Sequence, residues 1–197
     1  HSFIPAPTHG REATLFLQPW VTVRDAIASV PPIDGRKGRN SLPDFNPLHK
    51  VPPLDDKKYT WVLNTPEGET AFNNQCVNPN CGYQGNQRHG AKKVRGINQA
   101  CNDTPLYCEK CGALLPRPYV EDKDGTLRLM KGFVSAYKRM RWDEPASTLT
   151  QNFQFACSDN KLHPSQHRVL SIYEALILQS ITNYPYSFVV DGKMVRD

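Results

Sequence analysis

Four of the six cysteines in this 197-residue chain fall into two short knuckles, Cys76-x4-Cys81 in CVNPNC and Cys108-x2-Cys111 in CEKC. Thiolates two to four residues apart can converge on one ion, and zinc takes four soft ligands in a tetrahedron. Gly82 and Gly112 each follow the second cysteine of a pair, where the backbone of a knuckle turns tightly. The spacing predicts a structural zinc site on Cys76, Cys81, Cys108 and Cys111, with Cys101 and His89 as rivals for one position. Four protein ligands leave no place for water or substrate, so such a site does no chemistry. Buried reduced thiols without metal are the alternative. No secretory signal opens the sequence, which favours metal over disulfides.

Two further stretches could grip a polyanion. Residues 84–99, QGNQRHGAKKVRGINQ, hold Arg88, Lys92, Lys93 and Arg95 and no acid. Arg, Lys, Asn and Gln are the side chains that read phosphates and base edges, so this loop is expected to contact nucleic acid; a solvated loop is the alternative. Residues 131–141 hold Lys131, Lys138, Arg139 and Arg141, with Tyr137 interleaved and Trp142 next, a composition suited to phosphate contact.

The elements that position these residues are short. Thr22 with Asp25 reads as a capping box opening a helix that runs through Ala26, Ile27 and Val30 until Pro31-Pro32. Residues 31–57 are rich in Pro, Gly and charge and read as exposed, solvated loop. Lys58 to Leu63, KYTWVL, alternates as a half-buried strand. Tyr119 to Met130 reads as a hairpin turning at Asp124-Gly125, and a second hairpin is expected around Asp191-Gly192. Thr148 to Phe155 alternates as another strand. Ser171 and Glu174 form a capping box for a helix to about Thr182, apolar nearly all round and hence buried, which makes Glu174 a cap before a catalytic acid.

Residues 137–150, YKRMRWDEPASTLT, resemble the line Tyr-x-Arg-x-x-Trp-Asp-x-Pro-x-x-Thr-Leu/Ile-Thr of the target-recognition region of bacterial and phage-type DNA (cytosine-5) methyltransferases. His163-Pro164, Arg168, Leu170, Ser171, Glu174, Ala175, Leu178 and Gln179 resemble a further line of that family, and PAPTHG and TVRDAI resemble the segment after its catalytic half. Tyr173 and Ile177 stand where the family has Arg, and Ile181-Thr182-Asn183 replaces Phe-Pro-Asp, as in a divergent branch. The resemblance implies a part that holds duplex DNA while a target cytosine is flipped into a catalytic pocket. Thr148-Leu149 matches the pair near the flipped nucleotide's backbone. Lys138, Arg139 and Arg141 are then expected on phosphates, and Arg88, Lys92, Lys93 and Arg95 on base edges. His163 and Arg168 are expected to face DNA or the catalytic half, with a structural ion pair as the alternative for Arg168.

The family's own chemistry needs a Pro-Cys nucleophile, a Glu-Asn-Val line and a Phe-x-Gly-x-Gly loop for S-adenosylmethionine, and none stands in this sequence. Methyl transfer is therefore expected on an N-terminal part of a longer chain or on a separate catalytic subunit, and this part alone is expected to be inactive. The opening HSFIPAPTHG also reads as a fragment of something longer.

Composition fits that reading. Net charge is +5, pI about 8.9, hydrophobic content 39% and mean hydropathy −0.57, with 17 Pro and 12 Gly. This predicts a loop-rich α+β body with short antiparallel strands, few helices and a zinc module, not a large sheet. The stretches divide as 1–57 (entry), 58–130 (zinc-knuckle specificity insert) and 131–197 (DNA-gripping strand and capped helix), expected to form one body. A bacterial, cytoplasmic, nucleoid-associated setting follows. A stand-alone zinc-ribbon module for nucleic acid or protein is the rival; a hydrolase or nuclease lacks paired carboxylates or a Ser/His/Asp set.

Overall fold

The computed structural model describes residues 6–90, 92–94, 97–99, 104–183, 189–190 and 193–194. Its elements are few and short, held in small two-stranded sheets and joined by long loops, a loop-rich α+β arrangement. Strands β1 (His9–Gly10) and β2 (Gln18–Pro19) pair in parallel ahead of helix α1 (Val23–Ile27). Helix α2 is Asp56–Leu63. Strands β3 (Lys92–Val94) and β4 (Ile97–Gln99) form an antiparallel pair, as do β5 (Tyr119–Glu121) and β6 (Leu127–Leu129). Then β7 (Lys138–Arg139) runs parallel to β8 (Asn160–Leu162), helix α3 is Ile172–Leu178, and β9 (Val189–Val190) pairs with β10 (Lys193–Met194).

The capping boxes form as their residues dictate. Thr22 accepts from the Asp25 amide while the Asp25 carboxylate accepts from the Thr22 amide, and Ser171 and Glu174 repeat the arrangement at α3. The β5–β6 hairpin closes through Gly125 at φ +82°, and β9–β10 pair across residues 191–192, which lie outside the described part.

Three secondary-structure expectations are corrected. KYTWVL is helical: Asp55 caps α2 by accepting from the Lys58 amide at 2.8 Å, and Tyr59 and Val62, one turn apart, are buried with Trp61. The cap residue just outside the alternating run decides against a strand, and Leu63, the third alternating position, is exposed. Residues 148–155 are not a strand but successive turns, with Phe153 N donating to Thr150 O at 3.1 Å and Phe155 N to Asn152 O at 3.0 Å. Helix α3 stops at Leu178, and of its residues only Glu174 and Ala175 are buried. Its apolar side chains are half-buried, with Ile177 and Leu178 packed beside α1.

One apolar cluster joins Ile33, Val51, Trp61, Val62, Phe72, Tyr137, Leu162 and Val169, so early loop, middle helix and C-terminal strands share a core. A second joins Val23, Ile27 and Val30 to Met140 and Leu170. The 31–57 stretch is mostly exposed, as expected, and is anchored where Ile33, Gly35, His49 and Val51 are buried. Its His49 is buried, with Nδ1 2.9 Å from the Ser171 hydroxyl and Nε2 2.8 Å from the Pro31 carbonyl.

Candidate functional site

The four knuckle cysteines meet. Their sulfurs lie within 4.8 Å of one another, with Cys76 and Cys111 at 3.7 Å and Cys81 and Cys108 at 4.0 Å. Four thiolates about 2.3 Å from a central ion form a tetrahedron with edges of about 3.8 Å, so the set could hold a metal ion. These separations are far beyond a disulfide bond. The knuckles are made by local hydrogen bonds: Cys81 N and Gly82 N both donate to Asn78 O at 2.9 Å, and Gly112 N to Cys108 O at 2.8 Å. Gly82 and Gly112 take φ of +55° and +71°, the left-handed turn that a side chain resists. Burial raises the Cys108 thiol, but the amides of Cys111 and Lys110 and the neighbouring sulfurs bring it down to about 6. The Tyr83 amide lowers the Cys81 thiol, but burial and the neighbouring sulfurs push it up to about 11, so of these two it is Cys108 that favours the thiolate form.

His89 is not a ligand. It stacks on Phe72 with ring centroids 4.6 Å apart, and both nitrogens are committed, Nδ1 to the Thr104 hydroxyl at 2.8 Å and Nε2 to the Gly132 carbonyl at 2.9 Å. Cys101 and Arg95 lie outside the described residues, as do the side chains of Lys92 and Lys93.

The residues expected on DNA separate into two groups. Arg139 is interior: it is 2% exposed and donates to the carbonyls of Thr65 (2.6 Å), Val62 (2.7 Å), His163 (2.6 Å) and Gln166. Its guanidinium stitches α2 to the 163–166 turn and has no donor left over for phosphate. Arg168 and His163 are interior too. Arg168 makes a bidentate pair with Glu174 at 2.7 Å, and also donates to the Ile33 and Val169 carbonyls. His163 Nδ1 accepts from the amides of Ser165 (3.2 Å) and Gln166 (2.9 Å), and Trp142 meets its ring edge-on at 5.2 Å. Burial, then the Arg168 charge, lowers the His163 pKa to about 3, so the ring is neutral.

The second group is accessible. Lys138 is half-buried, while Arg141 is exposed with its guanidinium 3.6 Å from Glu144 and packed on Gly68. Gly68 has φ +72°, and a Cβ there would lie 2.6 Å from Arg141 Cζ. Arg88 is exposed and 3.2 Å from Glu69. Thr148 is exposed and Leu149 half-buried against the second cluster.

Sequence reasoning missed Lys161. It is fully buried in β8, and its ammonium donates to the Thr148 carbonyl at 2.7 Å and the Ser147 hydroxyl at 2.9 Å, 3.4 Å from Asp159. It fixes the backbone of the Thr148-Leu149 pair from beneath. Nothing in SDNKLHP marks it, because a lysine in a polar run reads as solvated.

The 137–150 line is thus largely architectural. Tyr137 fills the core, and the Trp142 amide donates to Glu67 at 2.7 Å. Asp143 pairs with Arg24 of α1 at 2.8 Å, which leaves Lys138, Arg141 and the Lys161-braced Thr148 facing outward. No helix of the described residues is long and apolar enough to cross a membrane.

No protein-family model matches the chain. It is 25% identical over 170 residues to the Type II methyltransferase M1.HgaI of Avibacterium volantium, covering 82% of this chain and 34% of that protein. It is 35% identical over 66 residues to the Type II methyltransferase M.AgeI of Thalassovita gelatinovora, covering 34% of this chain and 14% of that protein. The chain is therefore related to Type II methyltransferases, and it spans about a third or less of the length of these relatives.

Proposed function

We propose that this chain is the target-recognition part of a DNA (cytosine-5) methyltransferase, holding duplex DNA while a catalytic domain or subunit flips and methylates the cytosine. The observation that carries the reading is similarity to a Type II methyltransferase across 82% of the chain, which coincides with the methyltransferase-like 137–150 line. The sequence has no Pro-Cys nucleophile and no glycine-rich S-adenosylmethionine loop, so the cofactor and the methyl transfer belong to the rest of the enzyme. This chain supplies position: phosphate contacts from Lys138 and Arg141, a braced Thr148-Leu149 near the flipped nucleotide, and base-edge contacts from Arg88 and the 92–95 segment. The four cysteines hold a structural zinc ion that orders the knuckle insert, since short spacing and a closed S4 set suit zinc and no catalytic metal. A stand-alone zinc module would leave the similarity outside the cysteines without a cause.

The test is binding with the purified chain. Duplex DNA should bind with log affinity falling steeply as log salt rises, roughly −0.9 per phosphate neutralised, and S-adenosylmethionine should show no heat of binding. Methyl transfer by the chain alone, or an absence of DNA binding at low salt, would overturn the reading.

A further inference from the structure

The 34–40 loop, DGRKGRN, carries three cations to which the recognition role assigns no task. It is folded back on itself, with Asp34 N donating to Arg39 O at 2.9 Å and Arg39 N to Arg36 O at 3.0 Å. Its one acid is consumed internally: Asp34 accepts from the Arg36 amide at 2.9 Å and from the Tyr59 hydroxyl at 3.0 Å. The Arg36 guanidinium lies 4.3 Å above the Tyr59 ring, whose edge meets His167 at 5.8 Å. Among the described residues none of Arg36, Lys37 and Arg39 has a carboxylate within ion-pair distance, whereas Arg24, Lys57, Lys58, Arg88, Arg128 and Arg141 all do. These three are exposed, closely spaced and unneutralised.

The loop is pressed against the 165–167 turn. A Cβ at Gly35 would lie 2.4 Å from the His167 carbonyl oxygen, so only glycine permits the approach. Between loop and turn opens a cleft of about 390 Å³, lined by Asp34, Arg39, Ser165, Gln166 and His167 among others. His167 Nδ1 accepts from the Arg139 guanidinium at 3.0 Å, which leaves the ring proton on Nε2. Gln166 Oε1 is taken by the Ile33 amide (3.1 Å) and Arg168 Nε (2.9 Å). The donor-bearing side chains that line the cleft are those of Arg39, Ser165 and His167, beside the Asp34 carboxylate already held by the Arg36 amide and the Tyr59 hydroxyl.

We propose that this cleft and its basic loop bind a phosphate group, and that in the proposed recognition role the group is a phosphodiester of the DNA backbone. The inference rests on that role and adds a contact surface to it, since burial withdraws Arg139 from the phosphate it was expected to hold. A fork of guanidinium donors beside neutral N–H and O–H donors suits phosphate oxygens.

The experiment compares wild type with Lys37→Gln/Arg39→Gln, leaving Arg36 in place on Tyr59, by duplex-DNA anisotropy over a salt series. The variant should keep its melting temperature and show a salt slope shallower by about 0.9 for each phosphate it no longer neutralises. A steep wild-type slope that the variant reproduces would overturn the phosphodiester contact at the cleft while leaving DNA recognition intact. A flat wild-type slope would overturn DNA recognition itself. In a second arm, inorganic phosphate is titrated against the His167 ring resonances. Saturable shifts with an unchanged DNA slope would make this a free-phosphate site and overturn the phosphodiester; neither response would overturn the site altogether.

Discussion

The Arg168 guanidinium and the Glu174 carboxylate face each other through two hydrogen bonds of 2.7 Å, with both side chains wholly shielded from solvent. Glu174 also caps α3 by accepting from the Ser171 amide at 2.8 Å, so one carboxylate serves the ion pair and the helix start together. Burial alone would raise its pKa, but the Arg168 guanidinium outweighs this and holds the carboxyl below its ordinary range.

Breaking that pair from one side leaves a buried charge without its partner. Arg168→Met is expected to cost about 3–5 kcal/mol of folding stability. Glu174→Gln keeps an acceptor for the Ser171 amide but leaves the buried Arg168 cation without its counter-charge, and should cost a similar amount, about 3–5 kcal/mol. Denaturant unfolding measures both. A loss under about 1 kcal/mol for Arg168→Met would show the pair to be open to water.

Acid should weaken the fold earlier than carboxylates alone would make it. His163 is held neutral down to about 3, against 6.5 when free, so below 6.5 the unfolded chain takes up a proton that the folded chain refuses. Stability is therefore complete above about 6.5 and falls by up to about 1.4 kcal/mol per pH unit as the pH drops toward 3. His167, also lowered by burial and by Arg139, acts in the same sense. Glu174 adds its own loss only as pH falls through the carboxylate range. His163→Asn, whose side-chain carbonyl can accept the Ser165 and Gln166 amides, should flatten the dependence between pH 6.5 and 5. An unchanged profile in that variant would remove His163 as the cause.

What could be read from the sequence was local. A capping box is a contract between residues three apart, so Thr22/Asp25 and Ser171/Glu174 were legible, and cysteine spacing brought the two knuckles together because each forms within a few residues. The β5–β6 hairpin was legible for the same reason. Alternation misled where the deciding residue lay outside the run, as Asp55 does before KYTWVL. Burial of charge was not legible. For Arg168 a structural ion pair was one of the two open readings, and the Glu174 pair is that reading; Arg139 and Lys161 look like surface cations when only their neighbours in the chain are known, and the fold alone shows the main-chain carbonyls that absorb them. The 34–40 loop keeps its cations exposed, as its composition suggests, but its anchoring was not legible, because the approach of Gly35 to His167 is a contact between distant segments.

The cysteine centre predicts a stoichiometry. One zinc ion per chain is expected by elemental analysis, and a strong chelator should lower the melting temperature, since metal binding contributes to folding. Cys108→Ala, removing the buried thiol that most favours the thiolate form, should release the ion. Full zinc occupancy in that variant would transfer a ligand position to Cys101, because His89 has no nitrogen free.

Arg139 and Arg141, two residues apart, should give opposite phenotypes. Arg141→Gln is expected to leave stability within about 0.5 kcal/mol, as a surface change does, and to reduce the DNA salt slope by about 0.9 if it meets a phosphate. Arg139→Gln leaves several buried carbonyls without donors and should cost at least about 1–3 kcal/mol. Measured where it is still folded, it should keep the wild-type salt slope. A reduced slope for Arg139→Gln in a folded sample would return it to the DNA face.

In the proposed recognition role, Lys161 gives the sharpest distinction between touching DNA and shaping the surface that would. Its ammonium is buried against the Thr148 carbonyl, the Ser147 hydroxyl and Asp159, so no phosphate can reach it. Lys161→Met keeps the length of the side chain but removes every donor, at an expected cost of about 1–3 kcal/mol. The freed Thr148-Leu149 backbone should then hold DNA less well. Because no phosphate contact is removed, affinity should fall at every salt concentration by a similar factor, with the slope of log affinity on log salt unchanged. Lys161→Arg, which retains donors, should recover part of the affinity. Were Lys161→Met to change the slope instead, the ammonium would have to leave its pocket on binding; were affinity untouched in a folded variant, the Thr148-Leu149 pair would have no part in holding DNA.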